Sequence, residues 1–272
     1  MDASRARRSP CRPSHTSLRI LTLEAARAGA SAIKRIVDGR QMTVGFKNGS
    51  WSDPVTSADL ASERAIRAVI ETHRRDDAIL AEESGRRSGT SGLCWIIDPL
   101  DGTVNFARGL DRYAISIAVE STDDGRTVAA AVLQPATARW LALDADGIVA
   151  SPARTGVNQN VEASRQLLAF AVPHGPAARG EAYRALAHLA ARVQDLRNSG
   201  STVCDLAAVA TGELDGFVTF NPAPWDIAAG LAIVRAAGGR SRRWTGRGGL
   251  DVVVAGSDRV LETVADALRH AG

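Results

Sequence analysis

The most constraining feature of the chain is a pair of aspartates at the end of an apolar run. Leu93–Ile97 is compact and apolar, Asp98 follows it directly, Pro99 turns the chain, and Asp101 arrives three positions after Asp98. Both acids therefore leave one tight strand-to-loop corner. Carboxylates held so close repel each other unless a cation sits between them, and a pair of metal ions ~3.5–4 Å apart, bridged by a shared carboxylate, is the usual chemical solution. Gly102 and Thr103 come next, ahead of a segment able to open a helical turn whose free N–H groups can cradle phosphate oxygens. The same residues also fit an ordinary Asp-Pro-x-Asp-Gly turn in which the acids cap the backbone.

Two further acidic positions sharpen the choice. Glu82 and Glu83 follow the apolar run Ala78–Ala81; since side chains alternate along a strand, one can meet Asp98 while the other points to solvent or a neighbouring element. A solvated acidic loop is the plainer alternative. Asp226 follows Trp225 at the start of an apolar helix after the Pro222–Pro224 turn, where an N-cap is the simpler role. Each has an ordinary explanation alone; their combination in one chain points to a metal-assisted site.

The rest of the chain reads as alternating helices and strands. Helical spacing of apolar residues predicts helices over Leu18–Val37 and Ala58–His73, with later helices at Ala178–Val193, Thr202–Thr211, Asp226–Ala237 and from Ser257. Strands are expected at Ala78–Ala81, Leu93–Ile97, Ala114–Glu120, Val128–Gln134, Leu167–Val172, Gly216–Phe220 and Val252–Ala255, with Arg139–Leu143 and Gly147–Ala150 forming a hairpin. This alternation predicts a mixed, layered α/β fold. The expected organisation is a disordered basic tail over 1–16, an N-terminal lobe over 17–157 that carries the metal-binding motifs, and a C-terminal lobe over 158–272 that completes the site.

With 272 residues, 45% of them hydrophobic, the chain can bury a large core without staples. Cys11, Cys94 and Cys204 are odd in number and far apart, and the five histidines never fall at zinc-ligand spacing. Any metal is therefore expected on oxygen ligands, which favours magnesium, manganese or calcium, and the chain is expected in a reducing cytoplasm. The formal charge of +3 is supplied by Arg5, Arg7, Arg8 and Arg12 against Asp2, so the remaining body is neutral and nucleic-acid binding is not expected. A second cluster, Arg240, Arg242, Arg243 and Arg247, reads as a solvated loop. No stretch approaches the ~18 consecutive apolar residues of a membrane helix.

Taken in order, these motifs resemble the inositol monophosphatase family of lithium-sensitive magnesium phosphatases. Trp95-Ile96-Ile97-Asp98-Pro99-Leu100-Asp101-Gly102-Thr103 with Asn105-Phe106 looks like its first signature, and Trp225-Asp226-Ile227-Ala228-Ala229-Gly230 like its second. Val55–Asp59, Ala81–Ser84, Gly200-Ser201 and Gly212–Gly216 fit further family segments. The resemblance implies an α-β-α-β-α sandwich of the sugar-phosphatase type, a homodimer, and two to three Mg2+ ions per site. It implies that Glu82, Asp98 and the Leu100 carbonyl hold one ion, that Asp98, Asp101 and Asp226 hold a second, and that a third lies near Glu82 and Asp59. It assigns Asp59, Thr103 and Glu82 to catalysis, with Thr103 hydrogen-bonded towards Asp59 to orient an attacking water. The Gly102 and Thr103 amides would take phosphate oxygens, and Gly200, Ser201 and Thr219 would face the substrate.

Three departures qualify this pattern. Lys47 resembles the lysine of the family's mobile loop, but lies one residue farther from the matching aspartate than is common. Thr219 stands where relatives acting on inositol phosphate carry a glutamate, and a hydroxyl cannot replace its two-oxygen charged acceptor. Relatives acting on histidinol phosphate often place an acid where Ser201 stands. The expected reaction is hydrolysis of a small polyol or sugar phosphate, inositol 1-phosphate foremost, by metal-activated water. Alternative substrates are histidinol phosphate, fructose 1,6-bisphosphate and, more weakly, 3′-phosphoadenosine nucleotides; a non-catalytic, metal-binding regulatory relative is the alternative of another class.

Overall fold

The computed structural model describes residues 15–47 and 54–269. The tail expected over 1–16 lies outside the described residues as far as 14, and the first helix already begins at His15. Helices α1 (His15–Asp38) and α2 (Ser57–His73) flank a two-stranded hairpin, β1 (Val44–Phe46) against β2 (Pro54–Thr56). A seven-stranded sheet follows, built from β3 (Ala78–Ala81), β4 (Gly85–Arg87), β5 (Leu93–Asp101), β6 (Ala114–Ser121), β7 (Thr127–Gln134), β8 (Arg139–Leu143) and β9 (Val149–Ala150), with helix α3 (Thr103–Ala107) between β5 and β6. Its order is β4-β3-β5-β6-β7-β8-β9, antiparallel except for the β3–β5 pair.

The second half contains β10 (Leu167–Ala171), α4 (Pro176–Ala190), β11 (Asp195–Arg197), α5 (Thr202–Ala210), β12 (Gly216–Phe220), α6 (Pro224–Ala236), β13 (Arg240–Thr245), β14 (Asp251–Gly256) and α7 (Asp258–Arg269). Its five-stranded sheet runs β11-β10-β12-β14-β13.

Strand alternation explains why the two sheets stack with helices between and outside them. In β5, Trp95 and Ile97 face α1 and α2 in one core, whereas Ile96 faces α5 and α6 in another. In β12, Phe217 joins that middle core, and Val218 and Phe220 join a third beneath α4 and α7. Helices α5 and α6 are thus buried on nearly all sides, which their high apolar content requires. The layers run α-β-α-β-α, as expected.

Two sequence expectations are corrected. The strand expected to stop at Ile97 continues to Asp101, through a register shift against β6 between Asp98 and Asp101. Proline interrupts a ladder but is tolerated at a bulge, so Pro99 re-aims the strand instead of ending it. The arginine cluster read as a loop forms edge strand β13, where Arg243 pairs with Asp251 at 2.9 Å and Arg240 with Asp258 at 3.0 Å. Its side chains lie mostly at the surface, so the apolar alternation that betrays a strand is missing. Arg247, just beyond it, lines a cavity of about 740 Å³ between α4, α7 and the second sheet. No helix among the described residues is long and apolar enough to cross a membrane.

The two middle helices approach closely at Gly230, where an added Cβ would stand 2.7 Å from Leu206 Cβ and 2.5 Å from its Cδ1. Gly230→Ala is therefore expected to lower stability by about 1–3 kcal/mol through overpacking, measured as a fall in the urea midpoint at unchanged slope.

Candidate active site

The acidic side chains gather where β3 and β5 end against the first turns of α2, α5 and α6. Asp98 is 2% exposed, and its Oδ1 accepts the Leu100 amide at 3.0 Å, so the bulge fixes its own carboxylate. The Asp101 carboxylate accepts the Val203 amide at 2.9 Å and the Ser201 hydroxyl, both at the N-terminus of α5. Asp226 occupies the third position of α6 and accepts the Ala223 amide at 2.8 Å, with Pro224 opening the helix. Glu82 continues beyond β3, its amide donating to Ile97 O at 3.1 Å, and its charge acts on Asp98. Local backbone geometry thus anchors each acid, and three helix starts aim N–H groups into the same region.

Asp59 is set into α2 by a capping box with Thr56 and is 1% exposed. Its other oxygen accepts the Thr103 hydroxyl at 3.0 Å; that hydroxyl also lies 3.1 Å from Leu100 O. A threonine held this way keeps its lone pairs for a further donor. Gly102 precedes it at φ +89°, and a Cβ there would meet Arg112 O at 2.8 Å, so glycine alone allows this entry to α3.

The residues expected at the substrate have different local surroundings. Ser201 is 2% exposed, caps α5 by accepting the Cys204 amide at 3.1 Å, and donates to Asp101. Gly200, at φ +80°, lets its segment lie against Asn105, whose amide bridges Arg112 O at 2.7 Å and Ser199 O at 2.8 Å. Thr219 is buried in β12, opposite Val253. Lys47, just beyond β1, places Nζ 2.6 Å from Glu82 and 2.7 Å from Glu83.

Sequence reasoning missed a second polar row on α2. Ser62 donates to Pro99 O at 2.8 Å, and Glu63 accepts the Glu83 amide at 3.0 Å. Asp59, Ser62 and Glu63 share one buried helix face, at the i, i+3, i+4 spacing that could have revealed it. Asp205 of α5 was also missed: it is buried and pairs with Arg112 at 2.9 Å, and burial pushes its carboxyl up to about 6.

The electrostatics follow from burial and crowding. Burial, then Glu82, Asp101 and Asp226, raises the Asp98 carboxyl well above the ordinary range. Burial pushes Asp101 up to about 7 against its Ser201 and Val203 donors, with Asp226 and Glu82 adding to the rise. Asp59 is raised by burial, opposed by Thr56 and Thr103. Burial likewise pushes Glu83 up to about 7, with Lys47 pulling the other way.

Among the described residues, no three acidic, histidine or cysteine side chains already stand in a closed ligand arrangement. One oxygen of each accepts from a protein donor: Leu100 on Asp98, Ser201 and Val203 on Asp101, Ala223 on Asp226 and Lys47 on Glu82. The donor set nevertheless fits a hard divalent cation, because every candidate ligand is oxygen and Glu82 and Asp226 both raise the carboxyls of Asp98 and Asp101.

A layered α-β-α-β-α sandwich with an oxygen-only acidic cluster at its strand ends is the fold of the sugar-phosphatase type. Comparison with known proteins makes this specific. The family model for the inositol monophosphatase family matches residues 15–271. An inositol-1-monophosphatase of Rhizobium meliloti (strain 1021) is 33% identical over 93% of this chain and 96% of its own length. The Nus factor SuhB of Escherichia coli (strain K12) is also 33% identical, over 92% and 94%. The crystal structure of the extragenic suppressor protein suhB from Bartonella henselae superposes with a TM-score of 0.83 at 30% identity, covering 93% of this chain and 99% of that one. The chain belongs to the inositol monophosphatase family.

The raised carboxyls give a pH signature for the metal-free protein. For Asp101, from 3.8 to about 7, the folded state binds the proton more tightly than the unfolded chain. That stabilisation is complete below about 4 and is lost as pH rises through about 7. In chelator, the melting temperature is expected to fall between pH 5 and pH 8, and Asp98→Asn, which removes one buried charge, should raise it at pH 8. Thermal unfolding of both proteins at the two pH values checks this.

Proposed function

We propose that the protein is a magnesium-dependent phosphomonoesterase that hydrolyses a small polyol or sugar phosphate, inositol 1-phosphate foremost. The observation that carries this reading is the convergence of Glu82, Asp98, Asp101 and Asp226 beside the Asp59–Thr103 hydrogen bond. Two to three Mg2+ ions, held by these acids and the Leu100 carbonyl, would neutralise the phosphate dianion and acidify water.

The chain's own groups supply positioning. The buried Asp59 carboxylate accepts the Thr103 hydroxyl proton, which leaves a Thr103 lone pair to accept a hydrogen bond from the attacking water and hold it for in-line approach. The Gly102 and Thr103 amides are placed to receive phosphate oxygens. Ser201 and Val203 fix Asp101 in one rotamer, so that carboxylate need not reorganise during turnover. The N-terminal lobe, 17–157, brings all of these except Asp226 and the Asp101 donors, which come from the lobe over 158–272.

Inositol 1-phosphate is favoured because a relative with that activity in its name aligns over nearly the whole chain. Thr219 in place of a glutamate predicts weaker grip on ring hydroxyls than that family branch achieves. Histidinol phosphate and fructose 1,6-bisphosphate are the competing substrates. A cytoplasmic homodimer sensitive to lithium is the accompanying expectation from the family resemblance. The second reading, a non-catalytic regulatory protein, draws on relatives named Nus factor SuhB; the complete Asp59–Thr103 and acidic constellation weighs against it.

Inorganic phosphate release is expected only with magnesium, and inositol 1-phosphate should rank first in a panel with histidinol phosphate, fructose 1,6-bisphosphate and adenosine 3′,5′-bisphosphate. No release from any of them would sink the phosphatase reading in favour of the regulatory one. Thr103→Ala should lower kcat by about 100-fold or more with little change in KM, since it removes an orienting group felt in the transition state.

A further inference from the structure

We infer that Lys47 is a counter-ion of the acidic cluster, and that its ammonium must leave Glu82 before a divalent ion can take that carboxylate. This rests on the reading of the acidic cluster as a divalent-cation site.

The geometry is that of a counter-ion. Lys47 Nζ lies 2.6 Å from Glu82 Oε1 and 2.7 Å from Glu83 Oε1, with its side chain only 21% exposed. Through Glu82, whose charge acts on Asp98, that positive charge enters the acidic cluster at a proposed ligand. Burial alone would lower the lysine's affinity for its proton, but the two glutamates hold it above the ordinary lysine value, so the group stays charged.

Residue type carries the second part of the argument. The chain has 33 basic residues and only two are lysines, Lys34 and Lys47. Lys34 sits on the exposed face of α1, paired with Asp38 at 2.8 Å. At the acidic cluster, a chain that otherwise relies on arginine presents an ammonium. A guanidinium would bind a carboxylate through a rigid two-pronged fork, whereas an ammonium is a compact point charge that water solvates well and that can be given up. Glu82 and Glu83 need a cation when no metal is present, but one that yields.

Lys47 directly follows β1, β1 pairs with β2, and β2 ends at Thr56, the residue that caps Asp59. Glu83 is fixed through its amide by Glu63, so it is the ammonium that moves when Glu82 is taken.

The test uses the full chain and two readouts that need no turnover. Calorimetric titration with MgCl2 should show about tenfold tighter binding for Lys47→Met than for wild type, because a competitor has gone, and near wild-type binding for Lys47→Arg or weaker. Separately, acetylation of wild-type protein, quantified by mass spectrometry with Lys34 as internal reference, should be slow at Lys47 in chelator and rise severalfold with MgCl2, while Lys34 stays constant. Unchanged or weaker Mg2+ binding by Lys47→Met, or Lys47 labelling indifferent to Mg2+, overturns the role of Lys47 alone. Failure of wild type to bind Mg2+ overturns the cation site together with it. The labelling arm needs no variant, so a folding defect in Lys47→Met leaves the inference open to refutation.

Discussion

The structure depends on keeping mutually repelling carboxylates side by side in a place with little water. Asp98 is almost fully buried, with Glu82, Asp101 and Asp226 all acting on it. Left to themselves such groups would separate or protonate. The protein holds them by tying each to a backbone feature that cannot easily move: a bulge for Asp98, a helix start for Asp101 and Asp226, a strand extension for Glu82. The rigidity of the surrounding core is the means by which this unfavourable arrangement persists.

That rigidity comes from the middle layer. Helices α5 and α6 are packed between two sheets, and each delivers its first turn to the acidic region. Close contact at Gly230 and Leu206 fixes the separation of the helices, so the donors to Asp101 and the carboxylate of Asp226 are positioned relative to each other by packing. Asn105 adds a lateral tie, joining the segment after Gly102 to the segment before α5. Helix α2 does the same from the opposite side, since Ser62 reaches the bulge and Glu63 reaches the residue after Glu82.

Much of this was legible in the residues, for identifiable reasons. Long amphipathic helices and apolar strands announced themselves through period, and Ala78–Ala81, Arg139–Leu143 and Gly216–Phe220 fall where the pattern puts them. The acidic positions stood out because charge at the end of a buried strand is costly. What escaped was short structure or structure without an apolar signal: β1, β2, β4 and β11, each three residues long; β13, rich in arginine; and the continuation of β5 through Pro99. The Ser201 hydroxyl on Asp101 could not be read from spacing either, because it joins residues a hundred positions apart. Contacts of that kind are decided by how sheets and helices stack, which local sequence encodes only indirectly.

Among the described residues β13 is the outermost strand of the second sheet, and a sheet edge is a template on which another chain could build. Here that edge is populated by Arg240, Arg242 and Arg243. A second copy alongside would have to displace long charged side chains, two of them already paired with Asp258 and Asp251, so the same residues that concealed the strand also blunt its edge.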